Sequence, residues 1–337
     1  MLVRFWGVRG SLPSPAQSPE LKERIQQILQ LSLDKKLTKK NLPDFIASLP
    51  AHLTSLVGGN TPCLEVSKDN KILIFDSGSG IRKLGDLLTP LSGVDFLEDN
   101  SKGDRKKDYP LVVEPLHLDM FFTHTHWDHI QGFPFFAPIY DENTVLTIYA
   151  PEIESIEKSL RTQQSTPRLF PIHFDDLAAK IRFKRFPKEG LEIPPFTIDC
   201  LPLPHPGGST AYRVRSSGRT VVFATDYELV WDSPESAWKK EQLMAFIQNS
   251  DLFISDTQYT YLESHSKEGW GHSNALNVVE MAHGAGVKNL YLFHHDPSYD
   301  DKKLHDILEK ATAYTKLLFP KTTMRISLAT EDTQVEF

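Results

Sequence analysis

Phe121-Phe122-Thr123-His124-Thr125-His126-Trp127-Asp128-His129 decides the reading of this chain: an apolar run gives way to three histidines and an aspartate within six positions. Imidazole nitrogens and carboxylate oxygens are the ligand types that suit zinc and related divalent ions, which need a few compact donors around one point. Met120 to Thr123 reads as the end of a buried strand, so the cluster falls where a strand hands over to a loop. His124 and His126 alternate in an extended segment and therefore point the same way. Asp128 and His129 follow where the chain turns and address a second point nearby. One short segment thus offers ligands to two metal ions.

Three further residues stand at the ends of β-branched or aromatic runs. They are His205 in Leu203-Pro204-His205-Pro206-Gly207-Gly208, Asp226 in Val222-Phe223-Ala224-Thr225-Asp226, and His294 in Leu290-Tyr291-Leu292-Phe293-His294-His295. Taken singly, each is better read as a buried, hydrogen-bonded polar residue. As an ordered set they resemble the metallo-β-lactamase superfamily, whose His-X-His-X-Asp-His motif is followed by a lone His, a lone Asp and a final His. The resemblance implies that His124, His126 and His205 hold one ion, that Asp128, His129 and His294 hold a second, and that Asp226 bridges them. It implies zinc, with manganese or iron as alternatives, since nitrogen and oxygen donors do not choose among these metals. His295 competes with His294, and the family pattern favours the residue immediately after the strand. His52, His117, His173, His265, His283 and His305 fit no ligand position.

Within that superfamily the chain is similar to the phosphodiesterase branch. Gly271-His272-Ser273, opening a helix from Asn274 to His283, resembles an element of tRNA 3′-processing endonucleases and bacterial cyclic-phosphate phosphodiesterases. So does Ile254-Ser255-Asp256-Thr257, although Ser255 stands where a His is common in those relatives. Val3-Arg4-Phe5-Trp6-Gly7-Val8-Arg9-Gly10-Ser11 and Gly58-Gly59-Asn60-Thr61 resemble a bacterial subgroup labelled as cyclic-nucleotide phosphodiesterases. The branch implies that His272 is the general acid and that Asp256 fixes its tautomer, with Asp128 and the metals at the reacting centre. Ser209 and Thr210 are candidates to donate hydrogen bonds to a substrate phosphate, although small polar residues after a Gly-Gly turn also serve as plain turn chemistry. Asp76-Ser77-Gly78-Ser79-Gly80 lacks the Gly-Lys-Ser/Thr ending of a phosphate-cradling loop, so it reads as a tight strand-to-helix turn with Asp76 behind the metal ligands.

Alternating strands and helices give an α/β (α+β) class, and the resemblance implies a four-layer αββα sandwich. Helical patterns cover Glu154–Arg161, Ser236–Gln248, Ser273–Gly284 and Asp301–Leu318, and no repeat at solenoid spacing is visible. Ligands spread from His124 to His294 must converge in one core, which argues for one domain over 1–337. Residues 18–56 read as a helical insertion. Ser18 suits an N-cap, Pro19 the first helical position, and Leu21, Ile25, Ile28 and Leu29 one apolar face. A second helix from Asn41 to Leu49 is stopped by Pro50. This hairpin suits either a roof over the cleft or the contact of a homodimer. The charged segment Asp95–Asp108 reads as a mobile loop.

Composition is that of a soluble globular enzyme, with 40% hydrophobic and 24% charged residues. The net charge of −7 provides no basic footprint for RNA. Cys63 and Cys200 lie far apart and read as free thiols within or beside strands. No leader and no apolar run of membrane-spanning length is seen, so no membrane partner and a cytoplasmic location are expected. The leading expectation is a dinuclear metal-dependent phosphodiesterase that hydrolyses a small cyclic phosphate or nucleotide phosphodiester with metal-activated hydroxide. A tRNA 3′ endonuclease is the alternative, made less favourable by the acidic chain and the short His205–Asp226 connection. A non-hydrolytic carrier or redox relative of the fold is the third class, against which the intact Asp128 and the His272–Asp256 pair weigh.

Overall fold

Runs rich in β-branched and aromatic residues become two seven-stranded mixed sheets in the computed structural model, which describes residues 1–89, 115–228, 234–331 and 333–337 (234–238 by backbone alone). The first sheet follows the order β14 (Gln334–Glu336), β1 (Leu2–Gly7), β2 (Cys63–Lys68), β3 (Lys71–Phe75), β4 (Leu116–Phe121), β5 (Thr144–Ala150) and β6 (Lys180–Arg185). The second follows β13 (Arg325–Leu328), β12 (Asn289–Phe293), β11 (Leu252–Asp256), β10 (Arg219–Ala224), β9 (Ser209–Ser216), β8 (Phe196–Leu203) and β7 (Leu191–Ile193). Counted from its antiparallel edge, each sheet is parallel from the fourth strand onward, β3 in the first and β10 in the second. Strands and helices alternate as expected. Strands β7 and β14 were not foreseen, because three residues are too few to show a period.

Alternation along β4 assigns the layers. Phe121 turns between the sheets, where Phe75 lies 5.1 Å from it and Tyr212 of β9 lies 5.6 Å away, centroid to centroid. Met120 and Phe122 turn the other way and join Ile81, Leu84, Ile156 and Leu160 in a second buried cluster. Those last four belong to α4 (Ile81–Leu88) and α6 (Ile153–Gln163), which cover the outer face of the first sheet. Helices α9 (Ala275–Gly284) and α10 (Asp301–Leu318) cover the second, through Val278, Leu304 and Ile307. The result is the four-layer sandwich. Truncating Phe75 or Phe121 to Ala would cost about 3–5 kcal/mol, since both are fully buried.

The amino-terminal hairpin is held to the body by charge. Helix α1 (Ser18–Ser32) is capped by Gln17 rather than Ser18, with Pro19 in its first turn. Of its apolar face, Leu21, Ile25 and Leu29 are 57%, 49% and 59% exposed and Ile28 is half-buried. The buried residue is Arg24, whose Nη2 lies 2.6 Å from Glu20 and 2.6 Å from Asp301 at the start of α10. Arg9 reaches the other oxygen of Asp301 at 3.1 Å, and the backbone N–H of Val57 donates to Asp301 at 3.1 Å. Ion pairing, not an apolar stripe, therefore fastens α1 to the body. The second expected helix is shorter, α2 (Leu42–Ala47), and Pro50 caps a further turn, α3 (Ala51–Thr54). The segment Asp95–Asp108 lies outside the described residues. Among the described residues no helix is long and apolar enough to cross a membrane.

Candidate metal centre

Asp76, Asp226 and His294 follow the carboxyl ends of β3, β10 and β12, and each has a left-handed backbone, φ 60°, 56° and 61°. Such a conformation costs a non-glycine residue about 1–3 kcal/mol and persists only where the surroundings impose it. Here it turns three acidic or imidazole side chains off their strands into one place between the sheets. His124 and His126 arrive from the loop after β4, Asp128 and His129 from the short helix α5 (Trp127–Ile130), and His205 from the loop after β8.

The outward hydrogen bonds of the histidines fix which nitrogen faces inward. His129 Nδ1 donates to Asp76 Oδ2 at 2.8 Å, His205 Nδ1 to the Gly271 carbonyl at 2.8 Å, and His294 Nδ1 to Gln258 Oε1 at 2.9 Å. His124 Nδ1 lies 2.9 Å from the Thr123 hydroxyl, which itself donates to Asp76 Oδ2 at 2.9 Å. That leaves Nε2 of all four as lone pairs aimed at the centre. His126, the most exposed of the set, presents Nδ1, 3.0 Å from His205 Nε2.

Asp226 sits between two groups. Its Oδ1 is 3.7 Å from His124 Nε2 and 3.8 Å from His205 Nε2, whereas Oδ2 is 3.2 Å from both His129 Nε2 and His294 Nε2. Asp128 Oδ2 joins the second group, 3.3 Å from His129 Nε2 and 3.2 Å from His294 Nε2. His124, His126, His205 and Asp226 thus form one set of converging donors, and Asp128, His129 and His294 another.

These donors fit divalent cations. His124 Nε2 is buried and has no hydrogen-bond partner among the described residues, which inside a protein is costly unless a cation takes the lone pair. Lone pairs on His129 and His294 face each other at 3.3 Å, close to the roughly 3.3 Å separation of neighbouring ligands in a tetrahedral shell with bonds of about 2.0–2.1 Å. Electrostatics agrees. Burial pushes His124 well below the usual imidazole range. Burial likewise lowers His126 and His205, so all three are neutral ligands at neutral pH. At His129 the charges of Asp128, Asp226 and Asp76 outweigh burial and raise it, so a cation would displace its proton on binding. Asp128 and Asp226 stay ionised against the cost of burial because histidines surround them.

His272 lies beside this cluster. Its Nδ1 is 2.7 Å from Asp256 Oδ2 and 3.9 Å from Asp226 Oδ1. Burial lowers its pKa, but the charge and hydrogen bond of Asp256 outweigh this and raise it to about 9. Asp256 is itself held by the backbone N–H groups of Asp226, Gln258 and Ser273, all at 3.1 Å. His295 stands apart, its Nε2 donating to the Ala329 carbonyl at 2.9 Å, so His294 occupies the centre. Ser209 and Thr210 open β9 and are buried, and the Ser209 hydroxyl donates to the Thr225 carbonyl at 3.1 Å. That is the turn chemistry the sequence also allowed for Ser209.

Some contributors had no sequence signal as site residues. Gln258 orients His294, and the Ser11 backbone N–H donates to Asp128 Oδ2 at 2.7 Å. A Cβ on Gly10 would come within 2.5 Å of the His294 ring, and one on Gly271 within 2.2 Å of His205 Nδ1. Within the Val3–Ser11 motif Gly10, and within Gly271-His272-Ser273 Gly271, thus bring backbone close against the imidazoles of His294 and His205.

With this geometry in hand, three comparisons place the chain among known proteins. Yeast PDE1, solved without ligand, superposes with a TM-score of 0.60 at 18% identity over 82% of this chain and 95% of that one, a likeness of fold. Ribonuclease Z of Picrophilus torridus is 23% identical over 285 residues, 73% of this chain and 84% of the relative. Ribonuclease Z of Brevibacillus brevis is 30% identical over 105 residues, only 30% of that relative's length. Residues 103–295, more than half of the 337, match the model of the beta-lactamase superfamily domain. A motif, a sandwich and a donor set that agree with that match leave one conclusion, that the chain belongs to the beta-lactamase superfamily.

Proposed function

We propose that the protein is a metal-dependent phosphoric diester hydrolase with a two-ion centre, acting on a small cyclic phosphate or nucleotide phosphodiester. The carrying observation is Asp226, whose two oxygens face two separate histidine sets while His272 stands 3.9 Å away. His124, His126 and His205 would hold one ion, Asp128, His129 and His294 the other, and Asp226 would serve both. When bound, such a pair makes water a nucleophile near neutral pH and neutralises charge gathering on phosphoryl oxygens.

The remaining work falls to side chains. His272, protonated at neutral pH, delivers its proton from Nε2 to the departing alkoxide, because Nδ1 is committed to Asp256. Asp76, Gln258 and the Gly271 carbonyl hold His129, His294 and His205 in the tautomer that keeps Nε2 free. Ligands drawn from both sheets support one domain over 1–337 with residues 18–56 as an insertion. The exposed Leu21, Ile25 and Leu29 of α1 suit a contact between two copies in a homodimer, which solution mass would reveal.

Two features support a small substrate. Between His205 and Asp226 the chain makes only the β9–β10 hairpin, closed by Ser217 and Gly218, with no long arm to grip a folded RNA. The net charge of −7 opposes long-range attraction to a polyanion. The second reading is a tRNA 3′ endonuclease, favoured by relatives named Ribonuclease Z. A screen of metal-loaded protein against bis-p-nitrophenyl phosphate, cyclic mononucleotides, dinucleotides and precursor tRNA separates the two. Cleavage of precursor tRNA with cyclic nucleotides untouched would overturn the small-substrate reading. Failure on every diester would overturn the hydrolase.

A further inference from the structure

One carboxylate ties together two loops of the candidate centre. Glu228 lies two residues beyond Asp226 in the loop after β10, and its backbone N–H donates to the Pro204 carbonyl, next to His205, at 3.0 Å. Its side chain reaches the other way, into the turn between α8 (Tyr261–Ser266) and α9. Glu228 Oε2 accepts the Gly269 N–H at 3.0 Å and the Gly271 N–H at 2.7 Å, and Oε1 shares the Gly269 N–H at 3.0 Å. The Gly271 carbonyl accepts the His205 Nδ1 proton at 2.8 Å. Gly271 thus gives its N–H to Glu228 and its carbonyl to His205, and the next residue is His272.

This turn needs an external hold. Gly269 and Gly271 both have left-handed backbones, φ 83° and 86°, with only the exposed Trp270 between them. Glycine loses more conformational freedom on ordering than any other residue, so a Gly-Trp-Gly turn has little stiffness of its own. Two N–H groups converging on one carboxylate make charge-assisted bonds, stronger than those between neutral groups. Beyond His272 the chain is fixed separately, since Ser273 gives its N–H to Asp256 at 3.1 Å and its hydroxyl to the Tyr227 carbonyl at 2.7 Å. Ahead of His272, the N–H groups of Gly269 and Gly271 have Glu228 as their partner.

We infer that Glu228 is a positioning residue that sets His272 in register with His205, and so aligns the acid with the ion that His124, His126 and His205 would hold. That role rests on the proposed roles of His272 and His205. It is distinct from that of Asp256, which fixes the direction of the His272 ring through Nδ1. Glu228 fixes where the backbone carrying that ring stands.

The test uses full-length Glu228→Ala and Glu228→Gln at saturating metal, beside His272→Ala. Glu228→Ala should lower kcat about 10–100-fold, with KM nearly unchanged, on a diester whose leaving group is an alkoxide. ApA or 3′,5′-cyclic AMP serves, whichever the wild type turns over. On bis-p-nitrophenyl phosphate, whose leaving group needs no proton, the loss should stay under about threefold. Because Glu228 Oε2 alone takes both N–H groups, a Gln oxygen in its place keeps both, and Glu228→Gln should recover most of what Glu228→Ala loses. Added to His272→Ala, Glu228→Ala should lower alkoxide turnover by less than about a further twofold, since it acts through His272. Two readouts need no turnover. Amide exchange at Gly269 and Gly271 should quicken about tenfold or more in Glu228→Ala, with β11 and β12 unchanged. Metal affinity, read by chelator competition, should fall about tenfold as His205 loses its fixed partner.

Equal losses on the two substrate types, full additivity with His272→Ala, unchanged exchange at Gly269 and Gly271, or a Glu228→Gln variant as poor as Glu228→Ala overturns the inference. Should Glu228→Ala fail to fold, Glu228→Asp, one methylene short of both N–H groups, carries the same comparisons. A wild type that hydrolyses no diester strikes the hydrolase reading and the inference with it. Equal losses for His272→Ala on both substrate types strike the reading of the acid. If the His272→Ala loss is selective and the Glu228→Ala loss is not, only the role of Glu228 fails.

Discussion

Asp256 Oδ2 lies 2.7 Å from His272 Nδ1, and this contact determines which nitrogen of His272 can reach a substrate. The carboxylate is fully buried and its oxygens also take three backbone N–H groups, so it cannot turn away. His272→Ala should keep the metals, because no metal-facing donor of the seven is removed. Turnover should fall about 10²–10⁴-fold on diesters whose leaving group is an alkoxide. On bis-p-nitrophenyl phosphate the fall should be far smaller, since p-nitrophenolate departs without a proton. Equal losses on both substrate types would show that His272 is not the acid.

In the proposed centre Asp76 would support the second ion without touching it, through His129 Nδ1 at 2.8 Å and the Thr123 hydroxyl at 2.9 Å. Asp76→Asn removes the charge that holds His129 in its ligating tautomer. Affinity for the more weakly held ion should drop about 10–100-fold, as read by chelator competition. Unchanged affinity would mean that His129 needs no such support.

Asp301 pairs two buried arginines, Arg9 and Arg24, and accepts the Val57 N–H. Replacing it by Asn leaves both guanidinium groups without their shared counter-charge. The expected loss is about 3–5 kcal/mol in chemical denaturation, because breaking a buried pair strands the partner charge. Arg24→Ala should cost less and loosen α1 selectively, visible as faster amide exchange within Ser18–Ser32.

The thiols should be inert in the folded protein. Burial, then the charges of Asp76 and Glu65, hold Cys63 far above the usual thiol range, and burial with Asp199 lifts Cys200 to about 11. Thiolate is the reactive form, so at pH 7.4 only a trace exists. Alkylation by iodoacetamide should be slow in native buffer and quantitative for both cysteines in denaturant. Rapid native labelling would show that these environments open.

Most of the candidate site could be read from the sequence because strand ends are visible as apolar runs and the candidate ligands follow them: His124 after β4, Asp226 after β10, His294 after β12. The choice of His294 over His295 depended on the same rule, and the structure places His295 against Ala329. What stayed hidden acts through backbone or through distant partners. The Ser11 N–H on Asp128 and the Gly271 carbonyl on His205 carry no side-chain signature. The anchoring of helix α1 was hidden for a different reason: Arg24 pairs with Asp301, 277 positions away, which no local pattern reveals.

The central claim is that seven residues hold two ions, and metal content per chain tests it most directly. Protein purified without chelator and loaded with zinc or manganese should contain two equivalents by elemental analysis. His124→Ala/His126→Ala should keep one, and Asp226→Ala, which removes the residue shared by both sets, should lose affinity at both. A folded wild-type chain that binds one ion or none after loading would contradict the account.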